Sequence, residues 1–120
     1  MTHQISAVAN HRLDPRELTV LRASLHEHRL FRRQQLRDIA ADAAATARSP
    51  DVAAHSEVRQ KLTAAAQTAL AETEAALARM DAGRYGACGR CGRIISFHCL
   101  SAYPQARHCT RCRHLLEMQR

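Results

Sequence analysis

The sequence predicts a mainly α protein: one long antiparallel helical hairpin, coiled-coil-like, closed at its C-terminal end by a small four-cysteine module and a short terminal helix. Three observations predict it. Two stretches of roughly 30 residues place Leu, Ile, Val, Met and Ala at three- and four-residue spacings with no internal Gly or Pro. One breaker, Arg48-Ser49-Pro50-Asp51, separates them, and all five cysteines fall between positions 88 and 112. Composition agrees with a slender shape. Of 120 residues 46% are hydrophobic but only 3% aromatic, with no Trp and much Ala, enough to line a helix seam but not to fill a thick core. The length suits a single domain.

Residues 1–12 are polar and aperiodic and read as a flexible tail. The hairpin occupies 13–83. Asp14-Pro15-Arg16-Glu17 opens it: Asp14 can cap free backbone N–H groups, Pro15 suits the first turn, and Glu17 holds the capping-box position. Leu18, Leu21, Leu25, Leu36 and Ile39 then form a stripe that Ala43 and Ala47 continue, although His28 and Arg32 interrupt a strict heptad. The tip lies near 48–51, with Ser49 as cap and Pro50 in a first-turn slot. Val58, Leu62, Ala66, Ala69, Thr73, Leu77 and Met80 line the returning helix, which Asp81-Ala82-Gly83 closes with a glycine where the chain must turn left-handed. At ~1.5 Å per residue each helix is roughly 50 Å long, and near-equal lengths around a tight turn imply an antiparallel pair. A homodimerising or single extended helix is the alternative, which the Ser49-Pro50 break at the midpoint of the pattern disfavours.

Residues 84–120 carry the chemistry. Cys88-Gly89-Arg90-Cys91-Gly92 and Cys109-Thr110-Arg111-Cys112 form two C-x2-C pairs 17 residues apart, the spacing of a structural zinc site. Two intervening residues let both thiolates of a pair reach one ion, and four thiolates complete a tetrahedral shell with no position left for a substrate water. Gly92 is expected to let a backbone N–H approach the sulfur. One structural Zn2+ held by Cys88, Cys91, Cys109 and Cys112 is therefore the cofactor reading, with a redox dithiol pair or an iron–sulfur cluster as rivals. Cys99 is left over. It is either a small half-buried hydrophobe or a reactive thiol activated by nearby Arg, while His98, His108 and His114 are surface groups or substitute ligands.

Charge is uneven. The chain carries a net +7, yet residues 84–120 hold seven Arg against one acid, Glu117, so attraction to a polyanion centres there. No apolar run approaches a membrane span, and Met1-Thr2-His3-Gln4 does not begin a signal peptide, so a soluble, cytoplasmic protein is expected.

Gly83-Arg84-Tyr85-Gly86-Ala87-Cys88, the following Gly89-Arg90-Cys91-Gly92, then Ile95, Leu100, Ala102, Pro104 and Ala106 before Cys109-Thr110-Arg111-Cys112 resemble the zinc-finger signature of the DksA/TraR family of transcription regulators. The resemblance implies a protein that binds RNA polymerase and not a promoter sequence, its hairpin entering the secondary channel to modulate initiation. It also implies acidic tip residues in an Asp-x-x-Asp-x-Ala pattern. Asp51 and Ala53 match that pattern as partner-binding positions, while Arg48 stands at its first acid. Cys99 departs from the family's usual Arg before Leu100, and the chain after Cys112 is short. The alarmone ppGpp enters as a ligand of such proteins, with no site assignable here. Arg90, Arg93 and Arg111 offer a basic contact surface for acidic polymerase surface or phosphate, or are simply solvated.

No nucleophile elbow, phosphate loop, paired glycosidase carboxylates or HExxH motif is present, so no enzyme activity is expected. Asp38 and Asp42 share a helix face but read as solubilising charges. The rival to polymerase binding is a small zinc finger that binds nucleic acid directly through Arg84, Arg90, Arg93, Arg107, Arg111 and Arg113. No clear recognition helix accompanies those cations. An adaptor whose hairpin docks another protein is the third reading.

Overall fold

The computed structural model describes residues 12–47 and 52–119, the side chains of 52–54 excepted. Among the described residues four helices follow in order: α1 (Pro15–Ala45), α2 (Val52–Asp81), α3 (Phe97–Ala102) and α4 (Thr110–Met118). The first two form the hairpin. Its length sets the shape, with extents of 67 × 33 × 23 Å and a radius of gyration of 18.6 Å, against about 14 Å for a compact chain of this size.

Asp14 caps α1 as its sequence predicts. Its carboxylate accepts from Glu17 N at 2.8 Å, and Glu17 accepts in return from Asp14 N at 3.0 Å. α2 ends in a full Schellman motif: Gly83, at φ 74, donates to Met80 O, and Arg84 N–H reaches back to Arg79 O at 2.8 Å. The tip at 48–51, with Ser49 and Pro50, lies outside the described residues.

Arg22–Asp81 (2.9 Å), Arg33–Glu74 (3.0 Å) and Arg59–Asp42 (3.6 Å) fix the antiparallel register across the hairpin. Asp42 is thus an interhelical partner and not merely a solubilising charge. Exposed pairs of this kind add about 0–1 kcal/mol each, so the register depends more on what the helices bury. That burial is lopsided. Leu21 and Leu25 of α1 meet Ala76, Leu77 and Met80 of α2 in a core that continues into Cys88, Ile95, Leu100, Ala106 and Cys112. Towards the tip the expected stripe is not fully buried: Val58 is 60% exposed and Leu62 50%, Leu36 and Ile39 are only half-buried, and Phe31, outside the stripe, is 62% exposed. The stripe marks a face there, but the opposite helix mixes Gln35, Asp38 and Asp42 with Ile39 at that level, and the groove between the helices stays open.

Polar bonds dock the finger on the hairpin. Buried Gln105 donates to Thr73 Oγ1 at 3.1 Å, and the Thr73 hydroxyl donates in turn to Ala69 O at 2.8 Å. Tyr85 donates to Pro104 O at 2.9 Å and Tyr103 to Glu72 at 2.7 Å. Burial, aided by the Glu72 carboxylate, pushes the Tyr103 hydroxyl up to about 12, so it stays a donor at neutral pH. α3 has no counterpart among the sequence expectations. Ser96 caps it, accepting from Cys99 N, and its Leu100 is fully buried. No helix among the described residues is long and apolar enough to cross a membrane.

Truncating Leu25 to Ala is expected to cost about 2–5 kcal/mol in denaturant unfolding followed by circular dichroism. The same change at half-exposed Leu62 should cost about 0.5 kcal/mol or less. Equal losses would show that the hairpin is packed evenly along its length.

Candidate metal centre

The first cysteine pair sits in a minimal β-hairpin-like reversal. Ala87 and Ile94 form an isolated antiparallel bridge, Cys88 N–H donates to Arg93 O at 2.7 Å, and Ile95 N–H to Gly86 O at 2.7 Å. Between them the chain reverses and returns Cys91 beside Cys88. Gly92 holds φ 76, and its N–H donates to Cys88 O at 2.9 Å. A Cβ there would meet nothing within 4 Å, so the dihedral requires glycine, not the close approach to sulfur that the sequence suggests.

The second pair opens α4. Cys109 is the N-cap, its Sγ accepting from Cys112 N at 3.5 Å, and Cys112 lies in the first turn. The two halves are joined by Gly89 N–H to Arg107 O at 2.7 Å.

All four Sγ atoms lie within 4.8 Å of one another. Cys91 and Cys109 are 3.8 Å apart, far beyond a disulfide bond of about 2.0 Å, and close to the ~3.8 Å edge of a tetrahedron with 2.3 Å metal–sulfur bonds. The arrangement can hold a metal ion and has the donor set and size that Zn2+ takes. Its electrostatics ask for a cation. Burial opposes ionisation of Cys88, but the backbone N–H groups of Cys91, Cys109 and Arg90 outweigh it and bring the thiol to about 6. Cys112 moves the other way, to about 11, through burial and the crowd of neighbouring sulfurs, despite an Arg90 guanidinium at 3.8 Å. Four sulfurs this close cannot all ionise until a divalent ion sits among them.

Cys99 stands apart from that group, half-buried, with its Sγ 3.6 Å from Thr110 Oγ1. The Ser96 and Thr110 hydroxyls hold its thiol below the ordinary range, against burial and with help from Arg113. Among the described residues His98, His108 and His114 do not join the sulfur cluster.

The expected basic surface divides. Arg93 and Arg111 line one groove beside Cys99, whereas Arg90 turns its guanidinium to Cys112 Sγ, where its charge favours the ionised sulfur. The sequence reading missed that role. It also missed the convergence of Arg79, Arg84 and Arg107 on a separate groove. No periodicity signals it, because the three come from a helix, its cap and the finger. At the tip, Ala53 falls in the first turn of α2 and Asp51 lies outside the described residues.

Two long antiparallel helices closed at their base by a tetrathiol finger define the chain as a hairpin-arm protein with a four-cysteine centre. Among solved structures, that of the transcription factor DksA2 from Pseudomonas aeruginosa has the same fold, with a TM-score of 0.77. The alignment covers 88% of this chain and 87% of that one at 23% sequence identity, a likeness of fold. No protein-family model and no curated protein matches the sequence.

Replacing Cys112 with Ser removes one sulfur from both the cluster and the core. Elemental analysis is expected to find well under one metal per chain, with a lower melting temperature, while Cys99→Ser keeps its metal. Acidification should release the ion as thiolates take up protons. Full metal in C112S, or loss in C99S, would mean a different ligand set.

Proposed function

We propose that this protein is a non-enzymatic transcription regulator that binds RNA polymerase, inserting its helical hairpin into the secondary channel to modulate initiation. One observation carries the reading: the fold of a known transcription factor is reproduced over nearly the whole chain, arm and finger together. The arm also has suitable dimensions. A 31-residue helix paired with one of 30 makes a rod about 45 Å long and two helix diameters wide, narrow enough to enter a channel.

The roles follow from position. One Zn2+ on Cys88, Cys91, Cys109 and Cys112 is structural, since four protein sulfurs leave no open coordination site. Asp51 and Ala53, at the tip, act on the polymerase, with Arg48 in place of the pattern's first acid. Arg93 and Arg111 meet acidic polymerase surface, and Arg90 serves them only through its support of Cys112. The working compartment is the cytoplasm. We assign no site to ppGpp.

Direct nucleic-acid binding through the basic C-terminal third is the second reading, favoured by seven Arg against one acid in 84–120. A duplex presents evenly spaced phosphates and needs a continuous basic track. Arg84 with Arg107 and Arg93 with Arg111 line two grooves, and Arg113 lines a third together with Arg107, beside Glu72 and Glu117; acids thus interrupt the basic track, which supports the polymerase reading instead.

A pull-down with purified RNA polymerase, run beside a gel shift with generic duplex DNA, separates the two. Polymerase retention with weak, salt-sensitive DNA binding is expected, and DNA binding without polymerase retention would overturn the proposal. Asp51→Asn is expected to keep polymerase binding and lose most of any effect on transcription in vitro. An unchanged effect would remove Asp51 from the tip.

A further inference from the structure

We propose that Arg90 governs how tightly the four-cysteine centre keeps its ion, by giving the buried Cys112 sulfur a donor that neither backbone nor water provides. The four sulfurs are not served alike. Cys88 Sγ faces the backbone N–H groups of Cys91, Cys109 and Arg90, and Cys109 Sγ accepts from Cys112 N at 3.5 Å. Cys91 is exposed, so water can reach it. Cys112 has neither resource. It is 2% exposed, and among the described residues its one donor outside the sulfur cluster is Arg90 Nη1, 3.8 Å away.

Four thiolates around one divalent ion carry an excess of negative charge. Charge buried without a partner is costly, and hydrogen-bond donors behind a metal ligand orient it and strengthen its hold. At Cys88 and Cys109 the folded backbone supplies those donors. At Cys112 the task falls to one side chain. Truncating that side chain leaves a buried sulfur whose lost contact water cannot replace.

Position adds to charge. Arg90 lies between Cys88 and Cys91 in the first reversal, whereas Cys112 lies in the first turn of α4. The bond therefore crosses from one cysteine pair to the other, beside the Gly89 N–H to Arg107 O bond at 2.7 Å. Among the described residues no carboxylate pairs with Arg90, in contrast to Arg22, Arg33 and Arg59. Its permanently charged guanidinium is free to serve sulfur. The inference rests on the four-sulfur reading of the centre and is independent of polymerase binding.

The test is competition for Zn2+ at fixed pH between the full chain and a chromogenic chelator, with the unaltered protein, Arg90→Ala, Arg90→Lys and Arg113→Gln. Arg90→Ala is expected to weaken zinc binding about tenfold or more, the scale of losing a partner behind a metal ligand. Arg90→Lys keeps a charged donor and should recover most of that loss. Arg113→Gln removes an equal charge next to Cys112 but no bond to sulfur, and should match the unaltered chain. Circular dichroism should show the same helix content in every zinc-loaded chain. Failure of the unaltered chain to take up Zn2+ would refute the centre itself, and the proposal with it. With loading intact, undiminished affinity in Arg90→Ala, an equal loss in Arg113→Gln, no recovery in Arg90→Lys, or helix loss in loaded Arg90→Ala would each overturn the role of Arg90 alone.

Discussion

Cys88 and Cys112 belong at once to the sulfur cluster and to the apolar core that seals the hairpin base, and the rest of the structure depends on that double membership. Alanine-rich helices of 30 residues bury little area per turn and hold poorly on propensity alone. At the base, however, Leu21, Leu25, Leu77 and Met80 close over Ile95 and Leu100, and the two buried cysteines tie that cluster to two separate turns of chain. Burying one such leucine contributes about 1.5–3 kcal/mol, whereas a tetrahedral thiolate site for zinc contributes on the order of 10 kcal/mol. A zinc ion held by the four sulfurs would therefore place the largest single stabilising contribution where the arm is anchored.

Away from that anchor the balance changes. Tyr103–Glu72 and Gln105–Thr73 form the outermost polar latch between arm and finger; beyond them the helices hold each other through Ala66, the Arg59–Asp42 pair and partly covered Leu36 and Ile39. Leu30 and Phe31 stay exposed, Phe31 covered in part by the Arg32 guanidinium 5.3 Å from its ring. A gradient of packing from base to tip is what an arm needs if it is to be held firmly at one end and to present side chains at the other.

Local chemistry made much of this legible. The capping box at Asp14 and Glu17, the Gly83 terminus and the two C-x2-C pairs each depend on residues within a few positions of one another, so the sequence states them almost completely. Ile95, Leu100, Pro104 and Ala106, picked out by family resemblance, are all buried, while Ala102 faces solvent. What escaped depends on partners. The periodic positions Val58 and Leu62 mark one face of α2, but periodicity says nothing of whether the facing helix can cover it. The six residues of α3 are too few to show a period, although Ser96 ahead of Phe97 is the cap that gives them away. The division of the basic residues among separate grooves is a product of three-dimensional folding, as is the hydrogen bond that turns Arg90 towards Cys112.

Amide hydrogen exchange on the metal-loaded and metal-stripped chain tests the coupling between ion and arm most directly. Removing the ion is expected to speed exchange at Leu21, Leu25, Ala76 and Leu77 together with Ile95 and Leu100, by similar factors, while the half of the hairpin nearest the tip changes little. Protection at Leu21 and Leu25 that survives metal removal while the finger unfolds would contradict the account, since the arm would then be anchored by its own packing.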